Sequence, residues 1–183
     1  MALHPERDHE ELKTAAMVAI LAAVSVVLGI VESFIPFAIA VPGAKLGLGN
    51  IMVLTCLYYF KARDALALII LKTLLTSFIL GTFSTFLFSF FGSLASFLIM
   101  FFLLRVRKDF FSLAAISIMG GIAHNLGQLG AAALVLGTTS IFFYLPLLLV
   151  SGVVTGFFIG VAATYLIGSL DKLGLLQRAG GMQ

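Results

Sequence analysis

Phe101-Phe102-Leu103-Leu104-Arg105-Val106-Arg107-Lys108-Asp109-Phe110-Phe111-Ser112-Leu113 joins two of the longest apolar runs in the chain, 85–104 and 111–136. Each run is long enough to cross a hydrocarbon core of about 30 Å as an α-helix, which takes roughly 20 residues. The three cations between them cannot lie in that core, so both runs end at the same membrane face. By the positive-inside rule that face is cytoplasmic.

The same pattern extends in both directions. Four further apolar runs, 14–31, 46–60, 65–80 and 143–167, complete a predicted set of six spans. Nine of the eleven basic residues fall at alternate breaks: Arg7 and Lys13, Lys61 and Arg63, Arg105, Arg107 and Lys108, then Lys172 and Arg178. The intervening segments 81–84 and 137–142 carry no Lys or Arg. This predicts an all-α integral membrane protein of six transmembrane helices with both termini inside. The chain is expected to form one membrane domain over 1–183: a cytoplasmic segment 1–13, a six-helix bundle 14–169 and a cytoplasmic tail 170–183. Apolar residues make up 61% of the chain and charged residues 10%, and the mean hydropathy is +1.17. Those values lie far from a soluble domain and leave no room for one beside the bundle.

Composition also excludes functions. The formal charge of +3 resides mostly at inner breaks facing anionic lipid, so no nucleic-acid partner is implied. The first apolar run follows a segment, His4 to Glu11, that is as acidic as it is basic, and reads as a retained helix rather than a signal peptide. Cys56 is the single cysteine, which leaves no intrachain disulfide or cysteine metal cluster. No phosphate-binding loop with its lysine occurs, so any ATP hydrolysis belongs to another protein. The aspartates Asp8, Asp64, Asp109 and Asp171 are isolated near cytoplasmic ends, with no pair to hold the magnesium ions that activate a diphosphate. A catalytic prenyltransferase is therefore not expected, nor is any other enzyme, and no cofactor is called for.

Two lysines break the topological pattern. The first connection, Glu32-Ser33-Phe34-Ile35-Pro36-Phe37-Ala38-Ile39-Ala40-Val41-Pro42-Gly43-Ala44-Lys45-Leu46-Gly47-Leu48-Gly49-Asn50, is too rich in Gly and Pro for a continuous helix and too apolar for a solvated loop. It is expected to fold back and line a cavity. Lys45 stands close to the N-terminal end of the second helix, where the dipole also favours an anion; snorkelling to the interface is the competing reading. Lys72 falls near mid-depth of the third helix, where an unpaired charge costs at least about 2.5–3.5 kcal/mol. It needs a wet cavity or a partner, and Glu32 is the candidate partner, as an internal ion pair that orients helices. Thr76 lies one turn beyond Lys72 on the same face, with Thr73 and Ser77 beside it.

The fifth run contains Gly120-Gly121-Ile122-Ala123-His124-Asn125-Leu126-Gly127-Gln128-Leu129-Gly130. His124, Asn125 and Gln128 project from one side of a helix at three- and four-residue spacing. They are candidate ligand contacts, or else interhelical hydrogen-bonding groups. One histidine without carboxylate or cysteine neighbours is a poor metal site. Glu32, Lys45, Asn50, Lys72, Thr76, His124, Asn125 and Gln128 form the candidate substrate-binding set. Lys45 and Lys72 against Glu32 leave one net positive charge, which favours an anionic or zwitterionic ligand.

Small-residue stripes predict contacts. Gly152, Gly156 and Gly160 on the sixth run suit packing inside the bundle, while Ala15, Ala19 and Ala23 on the first suit either internal packing or another subunit. Phe86, Phe88, Phe90 and Phe91, with Phe142, Phe143 and Tyr144, are expected to face lipid or core, with one or two available to an apolar part of a ligand pocket.

Six helices, the alanine stripe, the folded first connection and the polar cluster together resemble the substrate-binding S component of an energy-coupling-factor (ECF) transporter. More narrowly, the segment from Pro42 to Asn50, the Lys72 helix and the Gly120 to Gln128 segment resemble the bacterial membrane family called Gx transporter, also labelled heptaprenyl diphosphate synthase component I. The resemblance covers nearly the whole chain. It implies a non-enzymatic subunit of a bacterial cytoplasmic-membrane importer that captures a small solute from outside. Its implied partners are a transmembrane coupling subunit, received by Ala15, Ala19 and Ala23, and two ATPase subunits. The synthase label implies instead an accessory role beside a prenyl-chain-elongating subunit in menaquinone side-chain synthesis. A third class, an ion-coupled carrier, would use Glu32 or His124 as coupling group.

Overall fold

The computed structural model describes residues 5–34, 47–81, 83–106 and 110–174. The helices are α1 (Pro5–Ser33), α2 (Asn50–Tyr59), α3 (Ala62–Leu80), α4 (Phe83–Val106), α5 (Leu113–Leu136) and α6 (Leu145–Leu173), with a 3-10 turn at Ser140–Tyr144 leading into α6. The described residues contain no strand. Among the described residues four segments are long and apolar enough to cross a membrane: His9–Ser33, Phe86–Val106, Leu113–Leu136 and Ser140–Leu173. Of the other two, α2 has only 10 residues. The other, α3, carries Arg63, Asp64 and Lys72 within its 19 residues.

The helix limits follow local chemistry. α1 begins at Pro5, well before the expected residue 14, because proline suits the first helical turn. Exposed Lys13 and Glu10 pair at 3.1 Å across one turn of it. The Lys61 amide donates to Asp64 Oδ2 at 3.1 Å, starting α3. Ser112 caps α5 by accepting from the Ala115 amide at 3.2 Å. Gly137 and Gly174 end α5 and α6 in the left-handed region, at φ 63° and 62°.

The short α2 lies at the centre. Eight of its 10 residues are buried, which explains why its sequence is apolar on all sides rather than on one stripe. It packs against α1, α3, α4 and α6, and Leu54, Leu57, Leu68, Ile69, Met100 and Ile116 fill the core around it. At its C-terminal end the Tyr59 hydroxyl lies 2.6 Å from Asp171 Oδ1 and 3.0 Å from the Ile167 carbonyl, tying α2 to α6.

The glycine stripe of α6 packs internally, as its spacing suggested. A Cβ on Gly156 would stand 2.7 Å from the Ile118 Cα, and one on Gly160 2.5 Å from the Ala114 Cα. Only glycine lets α5 and α6 approach that closely. The alanine stripe has the opposite setting, with Ala15, Ala19 and Ala23 all exposed on α1. Near the Pro5 end, an open groove of about 1100 Å³ runs between α1 and α3, with Ala15, Ala19, Phe60, Lys61 and Ala67 on its walls.

Candidate ligand-binding site

The polar residues of the bundle converge near the N-terminal end of α2. Gly47 adopts φ 79°, a left-handed conformation that aims consecutive amides the same way. Glu32, at the end of α1, fills the resulting nest: Oε1 accepts from the Gly47 amide at 2.8 Å and Oε2 from the Leu48 amide at 3.0 Å. Both carboxylate oxygens thus bind backbone at the start of the shortest helix, where the dipole adds to their attraction. Ser25 on α1 donates to the Gly49 carbonyl at 3.0 Å. The approach is so close that a Cβ on Gly49 would stand 2.7 Å from Ser25 Oγ.

Asn50 connects three helices. Its Oδ1 accepts from Lys72 Nζ of α3 at 2.9 Å, and its Nδ2 lies 3.3 Å from His124 Nδ1 of α5. The ammonium orients the carboxamide oxygen, so the amide NH₂ faces the ring, and His124 Nδ1 acts as acceptor with the ring proton on Nε2. The ring also sits against α4, where a Cβ on Gly92 would come within 3.1 Å of Nε2. Lys72 and Glu32 are 8% and 4% exposed, deep enough that each charge requires such neighbours.

These groups wall a cavity of about 50 Å³, shared by Glu32, Asn50, Lys72, Thr76 and His124. Five of the eight residues expected from sequence therefore meet at one place. Asn125 is displaced from it: its Nδ2 donates to the Leu148 carbonyl at 2.6 Å. It lines a smaller cavity of about 10 Å³ on the other side of the Asn50–His124 contact. Gln128 is buried and lines neither cavity, and its Oε1 meets no hydrogen-bond partner among the described residues. Lys45 falls outside the described residues. None of the phenylalanines singled out from sequence lines either cavity; Phe86 and Phe90 stack on each other at 5.7 Å. Among the described residues no group of three His, Cys, Asp or Glu could hold a metal.

Sequence reasoning missed the hydroxyls. Ser25, Ser89 and Ser93 line the larger cavity, and Ser96, Ser117 and Thr155 the smaller. A signal was present, because Ser89, Ser93 and Ser96 recur at four- and three-residue spacing on a mostly apolar helix and are all buried.

Comparison with known proteins agrees with the resemblance read from the loop and helix motifs. No curated protein and no solved structure matches significantly. The family described as heptaprenyl diphosphate synthase component I matches residues 21–166, from α1 through most of α6 and including every described residue of the site. The chain belongs to the heptaprenyl diphosphate synthase component I family.

Proposed function

We propose that this protein is the substrate-binding subunit of an ECF-type importer in a bacterial cytoplasmic membrane, and that it is not itself an enzyme. The observation that carries the reading is the cavity lined by polar residues at the head of α2, built from five helices around Lys72, Asn50 and His124 inside an otherwise apolar bundle. Such a site suits capture of a small solute better than chemistry on one. Among the described residues it offers no paired carboxylates, no metal cluster and no activated nucleophile.

In this reading α2 and α3 join the four longer helices as spans, with both termini inside, as the placement of Lys and Arg supports. The short α2 is tolerated because protein covers it on nearly every side. The cavity then lies toward the outer half and the α1–α3 groove at the cytoplasmic end. Exposed Ala15, Ala19 and Ala23 present a stripe of small residues for a transmembrane coupling subunit, and two ATPase subunits supply the energy.

The family description favours a second reading, an accessory membrane subunit of heptaprenyl diphosphate synthesis. One experiment separates the two. The protein is affinity-purified from its native membrane in mild detergent, and its companions are identified. Recovery of two ATPases with a membrane coupling subunit supports the importer; recovery of a soluble prenyl synthase without ATPases supports the accessory role.

A further inference from the structure

We infer that the larger cavity is an oxyanion-head site, taking the carboxylate or phosphate end of a ligand through Lys72, Thr76 and Ser93. The inference rests on reading this cavity as the capture site, and it is independent of which partners deliver the energy.

The argument is an account of donors and acceptors on the wall. The carbonyl and carboxylate oxygens named here each already accept one hydrogen bond: both Glu32 oxygens from backbone amides, Asn50 Oδ1 from Lys72, and the Gly49 carbonyl from Ser25. Thr73 is engaged as well, its hydroxyl donating back to the Ile69 carbonyl at 2.7 Å. The hydroxyls of Thr76 and Ser93, by contrast, make no hydrogen bond among the described residues, although Ser93 is only 2% exposed. Hydroxyls so placed can donate to a guest, and Lys72 on the same wall adds a cationic donor, while the one carboxylate of the wall, Glu32, is directed onto the Gly47 and Leu48 amides. The volume sets the size. At about 50 Å³ the cavity exceeds the roughly 10–15 Å³ that one water needs, so it has room for a carboxylate or phosphate head. Glu32, on the same wall, is then a scaffold group that holds the Gly47 and Leu48 amides in place.

The test uses the full chain in lipid nanodiscs and Cys56, which is 0% exposed and reacts with a maleimide only when the bundle opens. Sodium phosphate and sodium acetate are the probes, with sodium chloride holding ionic strength constant. Binding to the closed form alone slows labelling about tenfold at ten times Kd. That slowing is expected in wild type and in the exposed-site control Glu10→Gln. It is expected to be lost in Lys72→Met and in the double variant Thr76→Val with Ser93→Ala. Slowing by phosphate alone assigns a phosphate ester, and slowing by acetate alone a carboxylic acid. No slowing by either salt in wild type overturns the inference, as does slowing that survives in the double variant, which decides the matter should Lys72→Met fail to fold. The measurement needs no ATPase. Loss of the importer reading in the purification and loss of the oxyanion site here are therefore separate results.

Discussion

Glu32 offers the sharpest test of how the site is built. Its two oxygens hold the Gly47 and Leu48 amides at 2.8 and 3.0 Å, and among the described residues no other side chain meets those amides. Hydrogen bonds to a charged group are worth about 1.5–3 kcal/mol each. Glu32→Gln keeps one oxygen and turns an NH₂ toward the other amide, so it should lose one bond, about 1.5–3 kcal/mol. Glu32→Ala loses both, about 3–6 kcal/mol, and leaves two partly buried donors. Because these bonds secure the entry to α2, the loss appears as easier opening of that helix, which carries Cys56 six residues further on. With tenfold per 1.4 kcal/mol, the maleimide labelling rate should rise at least about tenfold in Glu32→Gln and at least about a hundredfold in Glu32→Ala, when opening is fast relative to labelling. Glu10→Gln, at an exposed position, should leave the rate unchanged. Wild-type labelling kinetics in Glu32→Ala would refute the claim that this carboxylate organises the site.

Gly160→Ala places a methyl against the Ala114 backbone and should destabilise the bundle by about 1–3 kcal/mol. Gly168→Ala on the same helix meets open space and should be neutral or stabilising by up to about 1 kcal/mol. Detergent resistance or thermal midpoint compares the pair, and equal effects would contradict the packing described. Gly92→Ala would stand 3.0 Å from both the ring and the backbone carbonyl of His124, so it should break the Asn50–His124 contact and weaken oxyanion protection of Cys56 while the protein still inserts. Ala19→Phe, on the exposed stripe, should abolish recovery of partner subunits and leave Cys56 labelling at the wild-type rate; undiminished recovery would remove the stripe from the interface.

Much of the architecture was legible because the bilayer imposes a simple rule on sequence. A long apolar run bounded by cations has few alternatives to a membrane helix, and runs 85–104 and 111–136 became α4 and α5 within two residues at each end. The extra length of α1 was not legible, because its first turns lie beyond the apolar run and a charged helix there carries no hydrophobic signature. Glycine at four-residue spacing announced a close helix contact but not its partner, which proved to be α5.

The sequence by itself determined that the chain is a helical membrane protein, that Lys72 needed neighbours, and that His124, Asn125 and Gln128 share a helix side. Only the tertiary structure decided which of these meet. Lys72 and Asn50 lie 22 residues apart and Asn50 and His124 lie 74 apart, and periodicity along one helix says nothing about which face of another it will touch. It also separated three neighbours on α5, sending His124 to Asn50, Asn125 to the α6 backbone and Gln128 away from both cavities. The physical reason is that hydrophobicity sets the depth of a helix in the bilayer, whereas its rotation and its partners are set by packing and hydrogen bonds between helices, which exist only once the bundle has assembled.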